Sequence, residues 1–301
     1  MKLPINISEY LIHEKGLEFN EMNGFDLLEL ERIDSIELNN NYSDYFFEGD
    51  CFKNLKKLKI NGDKFFNLDL SENLLLEELY VGGTSILDIN LKNNTNLVKI
   101  TLKNNFITNL NTISCGQLEY LDCSNNEIES LFISGRSLVY LDCSFNNLKN
   151  LELKGCDFLS KLNFSSNKIK RIELNRIEAL EELNCSFNKL EELDISELTK
   201  LRAIIAESNF LNYFSVDSNY LSFLILSNNK IKYIDCGGFL NLQYLDLISN
   251  EIEKINISHC NSLVEVNLHN NPLVEITLSK NNFRLIDEAI LKKIKVKNIL
   301  D

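Results

Sequence analysis

One sentence-like unit of about 21 residues is spoken along nearly the whole chain. LEYLDCSNN begins at Leu118 and LVYLDCSFN at Leu138. The wider pattern is L-x-x-L-x-(L/C/I)-x-x-N-x-(I/L)-x-x-(L/I)-x-(L/I). Its leading position falls at Ile33, Leu55, Leu76, Leu97, Leu118, Leu138, Leu159, Leu180, Leu201, Leu221, Leu242 and Leu263, with spacings of 20 to 22 residues. The ninth position is Asn in ten of these twelve copies, Asp63 and Thr84 being the exceptions. Apolar and polar residues alternating through L-x-L-x predict a strand with one face buried. No unit has room for a strand and a full helix, so little helix is expected. A single unit cannot bury its apolar face, but stacked neighbours can. At ~4.8 Å per strand, twelve units would build a parallel sheet roughly 55 Å long.

Segments such as LEELNCSFNKLEELDI (180–195) and LQYLDLISNEIEKINI (242–257) resemble the leucine-rich repeat family. The second half of each unit, NxLxxLDI or NxIxxIxL, looks like the short bacterial class with a 21-residue period. The resemblance covers roughly residues 33 to 278. It implies an α/β-class right-handed solenoid that is mostly β, with parallel strands on its concave face and helix confined to the caps. The expected organisation is one continuous solenoid domain, with residues 1–32 as N-terminal cap and 279–301 as C-terminal cap.

At the ends the repeat fails, as capping units of a solenoid do. A short helix is expected from Ser8 to Lys15, stopped by Gly16. After Leu278, the residues Leu285, Ile286, Ala289 and Ile290 suggest a helical turn or two, and KKIKVK then alternates like a last strand. Its lysines at 292, 293, 295 and 297 suit a protected sheet edge, because charge discourages pairing with another chain. The recurring asparagine has a structural explanation. A short amide supplies both donor and acceptor to a buried turn, so Asn126, Asn146, Asn167 and Asn188 should stack as a ladder.

Charge narrows the partner. Thirty-one basic against 44 acidic residues leave a net charge of −13. That excess repels phosphate backbones and anionic membranes, so neither nucleic acid nor a membrane surface is expected. A protein partner, and a basic one, fits better. The segment MKLPINISEYLIHEKG does not read as a secretory signal, and no apolar run approaches membrane-spanning length. A cytoplasmic monomer with eight reduced cysteines is therefore expected, with leaderless export as the alternative.

The cysteines test whether the chain is an enzyme. Cys123, Cys143 and Cys185 hold the sixth position, which points inward, and Phe164 holds it between the last two. Cys143 and Cys185 should then lie roughly 10 Å apart across a phenyl ring, whereas metal ligands must converge within ~2.3 Å of one centre. Cys123 and Cys143 fall within disulfide range, but a reducing setting argues against the bond. Cys115, Cys156 and Cys260 precede leading leucines by three residues. All read as small hydrophobes of the core. The grouping His259–Cys260…His269 is the one metal-like cluster, but its histidines fall in a loop and at an outward strand end. With no phosphate-cradling loop, nucleophile elbow or HExxH motif, no catalysis, metal or cofactor is expected.

Outward positions are the third, fifth, seventh and eighth of each unit. In the first four units the third and fifth are mainly charged: Ser35, Glu37, Lys57, Lys59, Glu78, Tyr80, Lys99 and Thr101. From the fifth unit on aromatic and aliphatic residues appear at outward positions: Tyr120, Tyr140, Phe145, Phe187, Ile205, Phe223, Ile225, Tyr244 and Ile248. Asp122, Asp142, Glu182 and Asp246 are interleaved with them. A contiguous exposed apolar cluster with a few carboxylates is a typical anchor set for a protein partner. The plainer reading is lateral packing that stabilises the sheet. The expected function is a non-catalytic protein-binding module. One alternative is an inhibitor or immunity-type protein that neutralises a basic enzyme. Another is an exported effector or surface protein that uses the repeats for recognition.

Overall fold

The computed structural model describes residues 5–19, 25–39, 45–48, 50–62 and 65–298. They fall into two compact units, Met1–Cys156 and Asp157–Asp301. The chain forms a parallel β-solenoid of about twelve turns. In the first unit the main strands are Ser35–Leu38, Lys57–Asn61, Glu78–Gly82, Lys99–Thr101, Tyr120–Asp122 and Tyr140–Asp142. Each pairs in parallel with the next, so that Lys99 faces Tyr120 and Tyr120 faces Tyr140. In the second unit Lys161–Asn163, Glu182–Asn184, Ala203–Ile205, Phe223–Ile225, Tyr244–Asp246 and Glu265–Asn267 do the same.

One repeat shows why. Leu118, Leu121, Cys123, Ile128, Leu131 and Ile133 are all buried. The first three belong to the main strand and its flank, the last three to the returning half of the turn. The two halves therefore close on one apolar spine, and a neighbouring turn covers each end of it. The returning halves pair in places: Ser130–Ser134 with Asn150–Lys154, and Lys254–Asn256 with Glu275–Leu278. The expected last strand is Lys295–Asn298, which pairs with Glu275–Leu278 at the edge of a three-stranded sheet. There Lys297 Nζ sits 2.8 Å from Glu275 Oε1.

Helix among the described residues is confined to the caps. Ile5–His13 is the longest. It ends where Gly16 takes a φ of +66° and the Leu17 N–H donates to the Leu11 carbonyl at 3.0 Å, a helix stop that favours glycine. Lys280–Phe283 and Glu288–Leu291 are single turns.

The asparagine ladder is present in each unit. Asn146 Nδ2 donates to the carbonyls of Cys123, Cys143 and Ser144 at 3.0–3.1 Å, and its Oδ1 accepts from the Ile128 N–H at 3.0 Å. Asn105 and Asn126 act similarly before it. In the second unit Asn188, Asn209, Asn229, Asn250 and Asn271 repeat the pattern. One side chain thus satisfies backbone groups of two successive turns, which no ladder of the sheet reaches. Of the two exceptions, Asp63 lies outside the described residues. The Thr84 hydroxyl instead donates to the Asn105 amide oxygen.

Candidate partner-binding faces

The outward face of the first unit changes character along its strands. At its start, charge is matched to charge: Lys57 to Glu78 at 2.6 Å and Lys59 to Glu37 at 2.6 Å. These residues, with Tyr80 and Lys99, line a depression of about 290 Å³. Further along, Tyr120 and Tyr140 occupy register-matched positions and stack, with ring centroids 4.4 Å apart. Lys99 Nζ lies 4.9 Å from the Tyr120 ring centre, a cation–π contact that caps the stack. Burial, then the nearby Asp142, holds the Tyr140 phenol above its usual range. Tyr120 is raised too, first by burial and then by Asp122.

The carboxylates on this face are engaged locally. Asp122 Oδ1 accepts from the Ser124 amide and hydroxyl at 3.0 and 2.6 Å, and Asp142 Oδ1 does the same with Ser144 at 2.9 and 2.6 Å. Asp122 is only 8% exposed. The alternation of the strand predicts an outward residue here, and the side chain instead folds along its own turn. Such turns are a common use of Asp.

In the second unit the outward strip is apolar. Phe223 and Tyr244 stack with centroids 4.7 Å apart. Ile205 and Ile225 are register partners, and both are half-buried, as are Phe223, Tyr244 and Ile248. Ile204, not Ile205, turns into the core, so this unit keeps the common register. Glu182 is exposed and lies 2.7 Å from Lys161. Asp246 Oδ1 accepts from the Ile248 amide at 2.9 Å. At the end of the unit, Glu265, Asn267, His269, Arg284, Asp287 and Ile290 border a depression of about 320 Å³.

Phe145 and Phe187 are placed differently from the rest. Both occupy the eighth position, where the chain turns out of the strand with φ near +53°. At the same position other turns place Asn104, Asn125, Asn228 and Asn270, or Ser166, Ser208 and Ser249. Left-handed backbone is unfavourable for a bulky side chain. Yet Phe145 is 61% and Phe187 52% exposed, so neither gains the burial that would offset the strain. The sequence carried this signal, two phenylalanines in an Asn/Ser column, but not the backbone angle.

The cysteines belong to the core. All eight are buried thiols, and Cys143 has no exposed surface. Burial pushes the Cys115 thiol up to about 11 and that of Cys185 to about 12. Nucleophilic or metal-binding thiols are lowered rather than raised, so Cys115 and Cys185 do not fit that role. Cys260 Sγ donates to the Cys236 carbonyl at 3.4 Å. His259 and His269 are exposed, and His269 Nε2 lies 3.8 Å from Asp287 Oδ2. Among the described residues, no three His, Cys, Asp or Glu side chains are grouped to hold a metal ion, and no helix is long and apolar enough to cross a membrane.

A family model described as Leucine Rich Repeat matches residues 179–201, the unit that contains Cys185 and Asn188. The fold is that of a leucine-rich repeat protein. An internalin, inlF of Listeria monocytogenes, superposes with a TM-score of 0.76 at 20% identity, covering 99% of this chain and 95% of its own. The functional domain of InlJ from Listeria monocytogenes, which includes a cysteine ladder, gives 0.64 at 21% identity over 90% of this chain and 74% of its own. A chain of the LRIM1/APL1C complex gives 0.60 at 23% identity over 82% and 52%. No curated protein matches by sequence.

Within this leucine-rich repeat fold, sequence reasoning missed several exposed aromatics of the second unit. Tyr213 and Tyr233 flank the parallel bridge between Phe214 and Ile234, and both are exposed. Phe210 is exposed beneath Lys230, whose Nζ is 5.0 Å from the ring centre. All three belong to the returning halves of their turns. The signal was present in the thirteenth position of two successive units, which both place Tyr.

Proposed function

We propose that this leucine-rich repeat protein is a non-catalytic binding module that holds a protein partner on the outward faces of its main strands. The observation that carries the reading is the pair of exposed phenylalanines, Phe145 and Phe187, on left-handed backbone that favours Asn or Gly. Fold stability alone disfavours both, so contact with another molecule is the remaining reason to keep them. The stacked pairs Tyr120–Tyr140 and Phe223–Tyr244 supply rigid aromatic area of the kind that anchors interfaces. The LRIM1/APL1C structure, similar in fold, is itself a protein complex.

The test is a double substitution, Tyr140→Glu with Phe187→Glu, in affinity purification from the native cell. Neither residue belongs to the leucine core, so the variant should keep its far-ultraviolet spectrum and a cooperative unfolding transition. Loss of the wild-type partners supports the reading. Recovery of those partners at full yield removes it.

A second reading, neutralisation of a basic enzyme, is favoured by the net charge of −13. Its signature is an association rate that falls steeply as salt is added, since opposite-charge steering is screened. A rate that stays flat from low to high salt would exclude it.

A further inference from the structure

We propose that the outward face of the second unit binds a protein segment in which a lysine or arginine is flanked by aliphatic side chains. The inference rests on the partner-binding reading of that face and adds the chemistry of what is bound.

The first unit contains a template for the cation. Lys99 is the register partner of Tyr120, and its ammonium lies 4.9 Å from the Tyr120 ring centre, capping the Tyr120–Tyr140 stack. The second unit repeats the aromatic part without the cation. Phe223 and Tyr244 stack, but the register partner before them is Ala203 and the one after is Glu265. Among the described residues no lysine or arginine of this chain lies over either ring.

Three carboxylates neighbour that stack: Glu265 is the register partner of Tyr244, Asp246 lies on the same strand, and Glu207 reaches Ser227 of the next turn. Tyr244 has its phenol raised first by burial and then by Asp246, Glu265 and Glu207, so all three carboxylates bear on one ring. Each accepts a hydrogen bond from a neutral donor. Ser227 Oγ donates to Glu207 at 3.4 Å, the Ile248 amide to Asp246 at 2.9 Å, and Asn267 Nδ2 to Glu265 at 3.2 Å. None of the three is in an ion pair among the described residues. Elsewhere on the same face, Lys161 is spent on Glu182. Arg284 borders the depression beyond Glu265, and His269 is turned to Asp287. The stack therefore offers an aromatic face beside three carboxylates that are in no ion pair among the described residues, which is where an ammonium or guanidinium is held.

The flanking chemistry follows from Ile205, Ile225 and Ile248. These half-buried side chains form the apolar strip next to the stack, and aliphatic groups of a partner would complete their burial. The same carboxylates repel a phosphate backbone, so a single-stranded RNA stacking on the rings is disfavoured.

The test is fluorescence anisotropy on the full chain with labelled probes of matched length. The probes are a peptide alternating isoleucine with lysine, one alternating serine with lysine, one alternating isoleucine with glutamate, and a single-stranded RNA. The isoleucine–lysine peptide should bind, and the serine–lysine peptide should bind about tenfold more weakly. The glutamate peptide and the RNA should not bind. Glu207→Gln and Glu265→Gln keep the shape of the face and should each weaken the first peptide about two- to fivefold. Ala203→Lys should copy the Lys99 arrangement, cover the Phe223 ring from within, and weaken it further. Equal binding of the glutamate peptide or the RNA, or indifference to Ala203→Lys, would overturn the proposal.

Purification of cellular partners with Tyr244→Ala separates the two levels of argument. Partners lost with Tyr244→Ala, while the peptides show no preference for lysine, would remove the chemical class and leave the binding face. Partners retained at full yield with Tyr244→Ala would remove the face of this unit, and the proposal with it.

Discussion

The rings of Tyr120 and Tyr140 lie 4.4 Å apart with their planes within 4° of parallel, although twenty residues separate them. The parallel register places them side by side, and each sits on the outward side of a strand whose inward neighbours are Leu121 and Leu141. Burial inside the stack and the negative charge of Asp142 disfavour ionisation of the Tyr140 phenol.

That relationship predicts a pH dependence. The Tyr140 phenol titrates higher in the folded chain than in the unfolded one, so above about pH 10 the folded state binds more protons. Stability is therefore fully present below the unfolded phenol's pKa and falls as pH rises through the alkaline range. Urea unfolding at a series of alkaline pH values should show this decline, and Tyr140→Phe should make it shallower. An unchanged slope in the variant would contradict the assignment.

Replacing a ladder asparagine should be costly. Asn146→Ala removes one donor from each of the Cys123 and Cys143 carbonyls, the former keeping Asn126 Nδ2, and takes the acceptor from the Ile128 amide, all in the buried turn. With about 1–3 kcal/mol for the buried amide that loses its acceptor, the expected loss is about 1–3 kcal/mol. Denaturant titration measures it. A loss below about 0.5 kcal/mol would mean that the ladder is ornamental.

The strained phenylalanines predict the opposite sign. Phe187→Asn places at φ +53° a residue that tolerates it, and little burial is lost because the ring is half-exposed. Stability should rise by about 1 kcal/mol while partner binding falls. Thermal unfolding and a pull-down on one preparation check both halves. A destabilised variant would show that the ring packs usefully against the fold.

Thiol chemistry provides a fourth check. The eight cysteines are buried and several thiols are pushed upward, so an aromatic disulfide reagent should modify them slowly in the native protein. All eight should react in denaturant. Cys143→Ser, which puts a hydroxyl into an apolar spine, should lower stability by about 1–3 kcal/mol. Fast native reaction of several thiols would contradict their place in the core.

Much of this was legible from the residues alone. The period of the repeat and its two-residue alternation told inward from outward, because a strand offers its side chains only two directions. That reasoning located the Cys123, Cys143 and Cys185 column, the Asn126–Asn146 ladder and the outward tyrosines. It did not anticipate that Asp122 would turn back onto Ser124, that the eighth position would be left-handed, or that Tyr213 and Tyr233 would be exposed on the returning half. Each depends on how the chain leaves the strand, where alternation no longer applies. Nor did composition reveal that Lys57 and Lys59 find Glu78 and Glu37 while Glu207, Asp246 and Glu265 enter no ion pair among the described residues. Pairing of charges is decided between turns some twenty residues apart. Only the assembled register, through backbone hydrogen bonds from one turn to the next, brings those groups within reach or keeps them apart.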